Sequence, residues 1–100
     1  MPRKLNTTVH GQRFDPETIE AVWRKAEPEL AFSTFRKDIC GASMQRSEYG
    51  LEEMFGWEID HIIPVEKGGA DDLNNLQPLH WENNRHKADN SPHWEGKIKD

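Results

Sequence analysis

Asp60 and His61 stand side by side, and they are the residue types a hydrolytic site needs first. An ionised carboxylate offers only acceptor oxygens and is a natural cation ligand. A neutral imidazole takes a proton near neutral pH. Downstream the chain runs Ile62-Ile63-Pro64, then Gly68-Gly69, then Asn75-Leu76-Gln77-Pro78-Leu79, then Asn83-Asn84-Arg85-His86-Lys87. Asp-His pairs are common by chance. A glycine pair, an Asn-Leu and an Asn-x-x-Lys following in this order are not. Asn84 carries an amide oxygen, another hard donor. Lys87 lies three residues after Asn84 and can share its helix side. Arg85 is turned away by about 100°.

These residues need elements to hold them. Trp57 to Ile63 alternates apolar and polar residues, which predicts a half-buried strand ended by Pro64. Neighbours on an ideal strand point to opposite faces, so Asp60 and His61 can serve one site only where the strand bends or ends. Gly68-Gly69 permits a tight loop that continues from Asp71 to Asn75. Leu76 to Leu79 reads as a second strand and His80 to Ala88 as a helix. Upstream, Asp15-Pro16-Glu17 reads as a helix start, with Ile19, Val22, Trp23 and Ala26 at helical spacing and Pro28 as the stop. Residues 29–36 favour no element. Arg36 to Met44 predicts a strand, a turn at Gly41 and a second strand. Residues 1–13 read as a flexible polar arm whose Arg3, Lys4 and Arg13 could touch phosphate, although a solvated tail is the plainer reading. Residues 14–100 read as one domain, its last ten residues, with Pro92 and Trp94, packing loosely.

Bulk properties narrow the class. One hundred residues, 34% hydrophobic and 31% charged, build one thin core, which the four Trp and four Phe must anchor. The single cysteine, Cys40, excludes an intrachain disulfide and a four-cysteine zinc site and fits a reducing compartment, so a cytoplasmic protein is expected. No apolar run approaches the roughly 18 residues of a membrane span, and residues 1–11 lack the apolar stretch of a secretory signal. The net charge of −5 weighs against a simple DNA-binding module, because phosphate neutralisation supplies most such affinity. It weighs less against an enzyme, where transient binding suffices and a divalent cation adds positive charge.

On the motifs quoted, residues 57–90 resemble the HNH endonuclease family, with a weaker likeness over Asp38 to Gly50. The resemblance implies an α+β fold: a ββα-metal (His-Me finger) core over about 57–90, an N-terminal helix and a knuckle. It implies a divalent-metal-dependent endonuclease that hydrolyses DNA phosphodiester bonds, nicks one strand per active site and leaves 5′-phosphate and 3′-hydroxyl ends. The three positions behind the family's name read His61, Asn75 and Asn84, the last holding Asn where the name has His. By this likeness Asp60 and Asn84 hold one Mg2+ or Mn2+ and His61 is the general base. Asn75 holds the loop so that a backbone carbonyl orients the His61 ring, and Lys87 and, less strongly, Arg85 reach substrate phosphate. Many members bind a structural zinc through two Cys-x-x-Cys pairs. Here those positions read Cys40…Ser43 and His80…Asn83, too poor a set for tetrahedral zinc. No structural zinc is expected; hydrogen bonds from Ser43, His80 and Asn83, with packing by Trp57 and Trp81, should hold the knuckle. Double-stranded DNA is the expected partner of a monomer or weak homodimer, with no membrane association. Two other readings stand: a non-catalytic nucleic-acid or partner-binding module on an HNH scaffold, and an RNA-directed phosphodiesterase.

Overall fold

A computed structural model describes residues 4–90, so Arg3, Pro92 and Trp94 lie outside the described residues. Helix α1 (Pro16–Trp23) starts as its residues predict: Asp15 Oδ1 accepts the N–H of Thr18 at 2.7 Å and Pro16 takes the first position. It ends at Trp23, short of the expected stop at Pro28. The N–H groups of Lys25 and Ala26 turn back onto the carbonyls of Val22 and Trp23, and Glu27 leaves to pair in a sheet. That sheet holds β1 (Glu27–Pro28), β2 (Phe35–Lys37) and β3 (Ser43–Gln45), antiparallel and in chain order. The turn between β2 and β3 passes through Gly41 at φ +90°, a conformation that favours glycine.

Strands β4 (Trp57–His61) and β5 (Leu76–His80) form a separate antiparallel pair, in register from Trp57↔His80 to His61↔Leu76. Helix α2 (Trp81–Asn90) follows β5 directly and completes a ββα unit. Alternation along β4 divides its work. Trp57, Ile59 and His61 face the α1 side; Glu58 and Asp60 face α2. Trp57 is fully buried between Trp23 and Tyr49, with ring centroids 4.9 and 4.8 Å away. Phe14, Val22, Met44, Ile59 and Leu76 complete this core. No helix among the described residues is long and apolar enough to cross a membrane.

The knuckle is joined to α2 by one buried carboxylate. Asp38 Oδ1 accepts the N–H groups of Cys40 and Ala42, both at 2.9 Å. Its Oδ2 accepts the N–H of His80 at 3.0 Å and Asn83 Nδ2 at 2.9 Å. His80 and Asn83 therefore take part as expected, but the group that gathers them is Asp38, which the motif positions did not include. Both nitrogens of the His80 ring are occupied: Nε2 donates to the Met54 carbonyl at 2.9 Å and Nδ1 accepts the N–H of Glu82 at 3.1 Å. Trp57 serves the core beside α1, and Trp81 donates to the Glu53 carbonyl at 2.7 Å.

The described residues of the N-terminal segment bond to β4 and to the loop after it. Thr7 is buried, and Asn6 Oδ1 accepts both the Tyr49 hydroxyl and the N–H of Ile59 at 2.8 Å. Val9 donates its N–H to both oxygens of Asp71, at 3.1 and 3.2 Å. Polar composition suggested a solvated arm; instead Asn6 satisfies a backbone group of β4, and the loop's Asp71 satisfies the backbone N–H of Val9.

Candidate active site

The site forms where β4 ends. Asp60 projects toward α2: its carboxylate accepts Gln77 Nε2 at 2.9 Å from the facing strand and Lys87 Nζ, which lies 3.2 Å from Oδ1 and 3.1 Å from Oδ2. Burial pushes the Asp60 carboxyl above the usual carboxylate range, opposed by the Gln77 amide, the Lys87 ammonium and the charge of His61. One turn before Lys87, Asn84 is 1% exposed and donates Nδ2 to Glu58 Oε1 at 2.8 Å. That bond sets the amide's rotation: the nitrogen belongs to Glu58, which leaves Oδ1 as the lone-pair atom Asn84 offers to the site.

His61 sits on the other side of the strand. It is 6% exposed, its ring centroid 6.0 Å from that of Phe14, and its Nε2 donates to Asp71 Oδ1 at 2.7 Å. The loop that carries Asp71 is tightly closed. Asn75 Oδ1 accepts the N–H of Ile63 at 2.8 Å, while Nδ2 donates to the carbonyls of Ile63 at 3.2 Å and Ala70 at 2.9 Å. The Ile62 N–H donates to the Asn75 carbonyl at 2.8 Å. Gly69 is buried where a Cβ would lie 1.7 Å from the Ile63 carbonyl oxygen, so no side chain fits this close approach. The three side-chain bonds of Asn75 close the loop. The group it delivers to His61 is the Asp71 carboxylate and not the expected backbone carbonyl.

One cavity of about 150 Å³ is lined by Asp60, His61, Asn84 and Lys87, together with Leu5, Asn6 and Pro64 among others. Strand alternation is therefore kept, yet both neighbours reach the same space, because β4 stops at His61 and the chain turns at Pro64. Among the described residues no group of three or more His, Cys, Asp or Glu gathers around a point. The carboxylates and amides on the cavity wall are those of Asp60, Glu66, Asn84 and Asn6. Glu66 is exposed and Asn6 Oδ1 already accepts from Tyr49 and Ile59, and the pair Asp60 and Asn84 fits a hard divalent cation whose remaining positions go to water and substrate.

The two cations expected on phosphate are engaged elsewhere. Lys87 is buried, and besides Asp60 its Nζ donates to the His61 carbonyl at 2.9 Å. Arg85 binds Glu58 at 2.9 Å and Glu52 at 2.8 Å. Helical spacing put Lys87, and not Arg85, on the side of Asn84, and carboxylates on β4 took both. Asp71, Glu58 and Gln77 were missed. Two signals for them were present in the sequence: Glu58 lies two residues before Asp60, on the same strand face, and Gln77 lies on the strand expected to pair with β4.

A ββα unit with an aspartate and a histidine at the end of its first strand and an asparagine on its helix defines a class of nuclease. The HNH endonuclease family model matches residues 39–90, just over half the chain, and the chain belongs to that family. Comparison with curated proteins and with solved structures found no match. Membership points to nuclease chemistry on nucleic acid in general.

Proposed function

We propose that the chain is a divalent-metal-dependent endonuclease that hydrolyses DNA phosphodiester bonds, nicking one strand per active site and leaving 5′-phosphate and 3′-hydroxyl ends. The observation that carries this reading is that Asp60, His61 and Asn84 line one and the same cavity. Asp60 and Asn84 are the residues to hold one Mg2+ or Mn2+. When bound, such an ion stabilises negative charge on the phosphate and on the leaving oxygen. His61 takes the proton of the attacking water. Lys87 favours the ionised form of Asp60, as its 3.1 Å ion pair implies. Gln77 and Glu58 fix the two ligands in rotation, and Asn75 holds the loop beside the base. In this reading Lys87 and Arg85 organise the site and do not meet phosphate. The Asp38 carboxylate does the joining work that zinc does in knuckles with four thiols, so no structural zinc is required.

Supercoiled plasmid incubated with Mg2+ or Mn2+ tests the proposal, beside His61→Ala. Wild type should give open circles, and the variant should lose at least ~10²-fold in rate, the low end of what a positioned base contributes. Equal cleavage by the variant would remove His61 from the mechanism, and a preference for a single-stranded RNA substrate run in parallel would replace DNA with RNA. The net charge of −5 and the internal engagement of Lys87 and Arg85 favour one other reading, a non-catalytic binding module. DNA binding without cleavage in any divalent ion would select it.

A further inference from the structure

We infer that Asp71 is a positioning residue for His61: its carboxylate fixes the imidazole as the Nε2–H tautomer and turns the Nδ1 lone pair to the reaction. This rests on the reading of His61 as the proton acceptor. The ring is buried, and the Nε2–Oδ1 distance of 2.7 Å is that of a charge-assisted hydrogen bond. An ionised carboxylate only accepts, so the shared proton resides on Nε2 and the neutral ring carries its free lone pair on Nδ1. Asp71 is itself held from two sides. Val9 donates its N–H to both carboxylate oxygens, and the Asn75 amide fixes the carbonyl of Ala70 immediately before it. Phe14 covers the ring at 6.0 Å between centroids. Val9 and Phe14 lie upstream of residues 39–90, so the N-terminal segment completes an orienting shell that the family-matched stretch does not contain by itself.

The bond could instead be a structural ion pair that ties the loop to β4. The two roles separate by coupling. If Asp71 acts through His61, Asp71→Ala should lower kcat by ~10²-fold or more, within the range a positioned base contributes, with KM nearly unchanged. In a His61→Ala background the same change should cost nothing further, because the two residues act as a unit. Asp71→Asn should recover most of kcat, since an amide oxygen turned to the ring still accepts from Nε2–H. Equal losses from Asp71→Ala in both backgrounds would overturn the inference and leave a structural tie. So would unchanged kcat in Asp71→Ala. A second measurement does not depend on cleavage: the long-range 1H–15N spectrum of His61 in metal-free protein, with the ring neutral. Wild type should show Nε2–H alone, and Asp71→Ala a mixture of tautomers. An Nδ1–H signature in wild type would overturn the assignment whatever the plasmid assay shows. The expected tautomer in a protein that does not cut would retire the nuclease reading and keep the Asp71–His61 pairing.

Discussion

Replacing Asp38 with Ala should come close to unfolding the protein. The carboxylate accepts four hydrogen bonds at 2.9–3.0 Å, three from backbone N–H groups and one from Asn83. Ala42, His80 and Asn83 are 1%, 3% and 0% exposed, so water has little access to their donors once the acceptor is gone. Cys40 is only partly buried and can be rehydrated. Three donors stranded at ~1–3 kcal/mol each set the scale, reduced because a buried charge also disappears. The expected loss is about 3–5 kcal/mol against a total of about 5–15 kcal/mol for a chain of this length, a fall in Tm of roughly 15–30 °C. Asp38→Asn should be nearly as damaging, since its NH2 would face N–H donors. Urea and thermal unfolding followed by the fluorescence of buried Trp57 measure both, beside wild type treated with a chelator. The wild-type midpoint should not move. A variant within about 1 kcal/mol of wild type would show that Asp38 is not the tie. Stoichiometric zinc whose removal unfolds the wild type would show that a metal is.

Asn75→Ala removes three hydrogen bonds that close the loop after β4. Stability should fall by about 2–3 kcal/mol, and kcat for plasmid nicking should fall far more than KM changes, because the reacting groups remain but lose their placement; an effect confined to KM would refute the loop-holding role. Burial holds the Asp60 carboxyl above its unfolded value, so the native state keeps that proton to higher pH than the unfolded chain does. Its stabilising contribution is then present below about pH 4 and is lost as pH rises through the native pKa. In metal-free urea titrations, wild type should lose stability relative to Asp60→Asn as pH rises above about 4, and Mg2+ should narrow the gap by binding the ionised form. A difference that is flat with pH would contradict the assigned direction.

What the sequence made legible was whatever repeats at short range. The cap at Asp15, the alternation from Trp57 to His61 and the order of strand, loop, strand and helix through Leu76 and Trp81 are local patterns, and the structure carries them within a few residues. The shared cavity of Asp60, His61 and Asn84 follows from the same order. What stayed hidden were pairings across long separations, in which one polar atom satisfies another. Asp38 meets His80 across 42 residues and Asn6 meets Ile59 across 53. No spacing rule reports such pairs, because they depend on which donors the packed fold leaves in need of an acceptor. The two misplaced cations show the same physics. Lys87 shares the helix side of Asn84 and Arg85 is turned from it, but Asp60 and Glu58 are held in from water beside them. A carboxylate at such depth requires a cation more strongly than a solvent-exposed phosphate site can compete for one. Reading the acidic residues as an outward field therefore misjudges them: Asp38, Glu58, Asp60 and Asp71 each accept from donors within the fold, and each of those contacts holds a piece of the site or its frame in place.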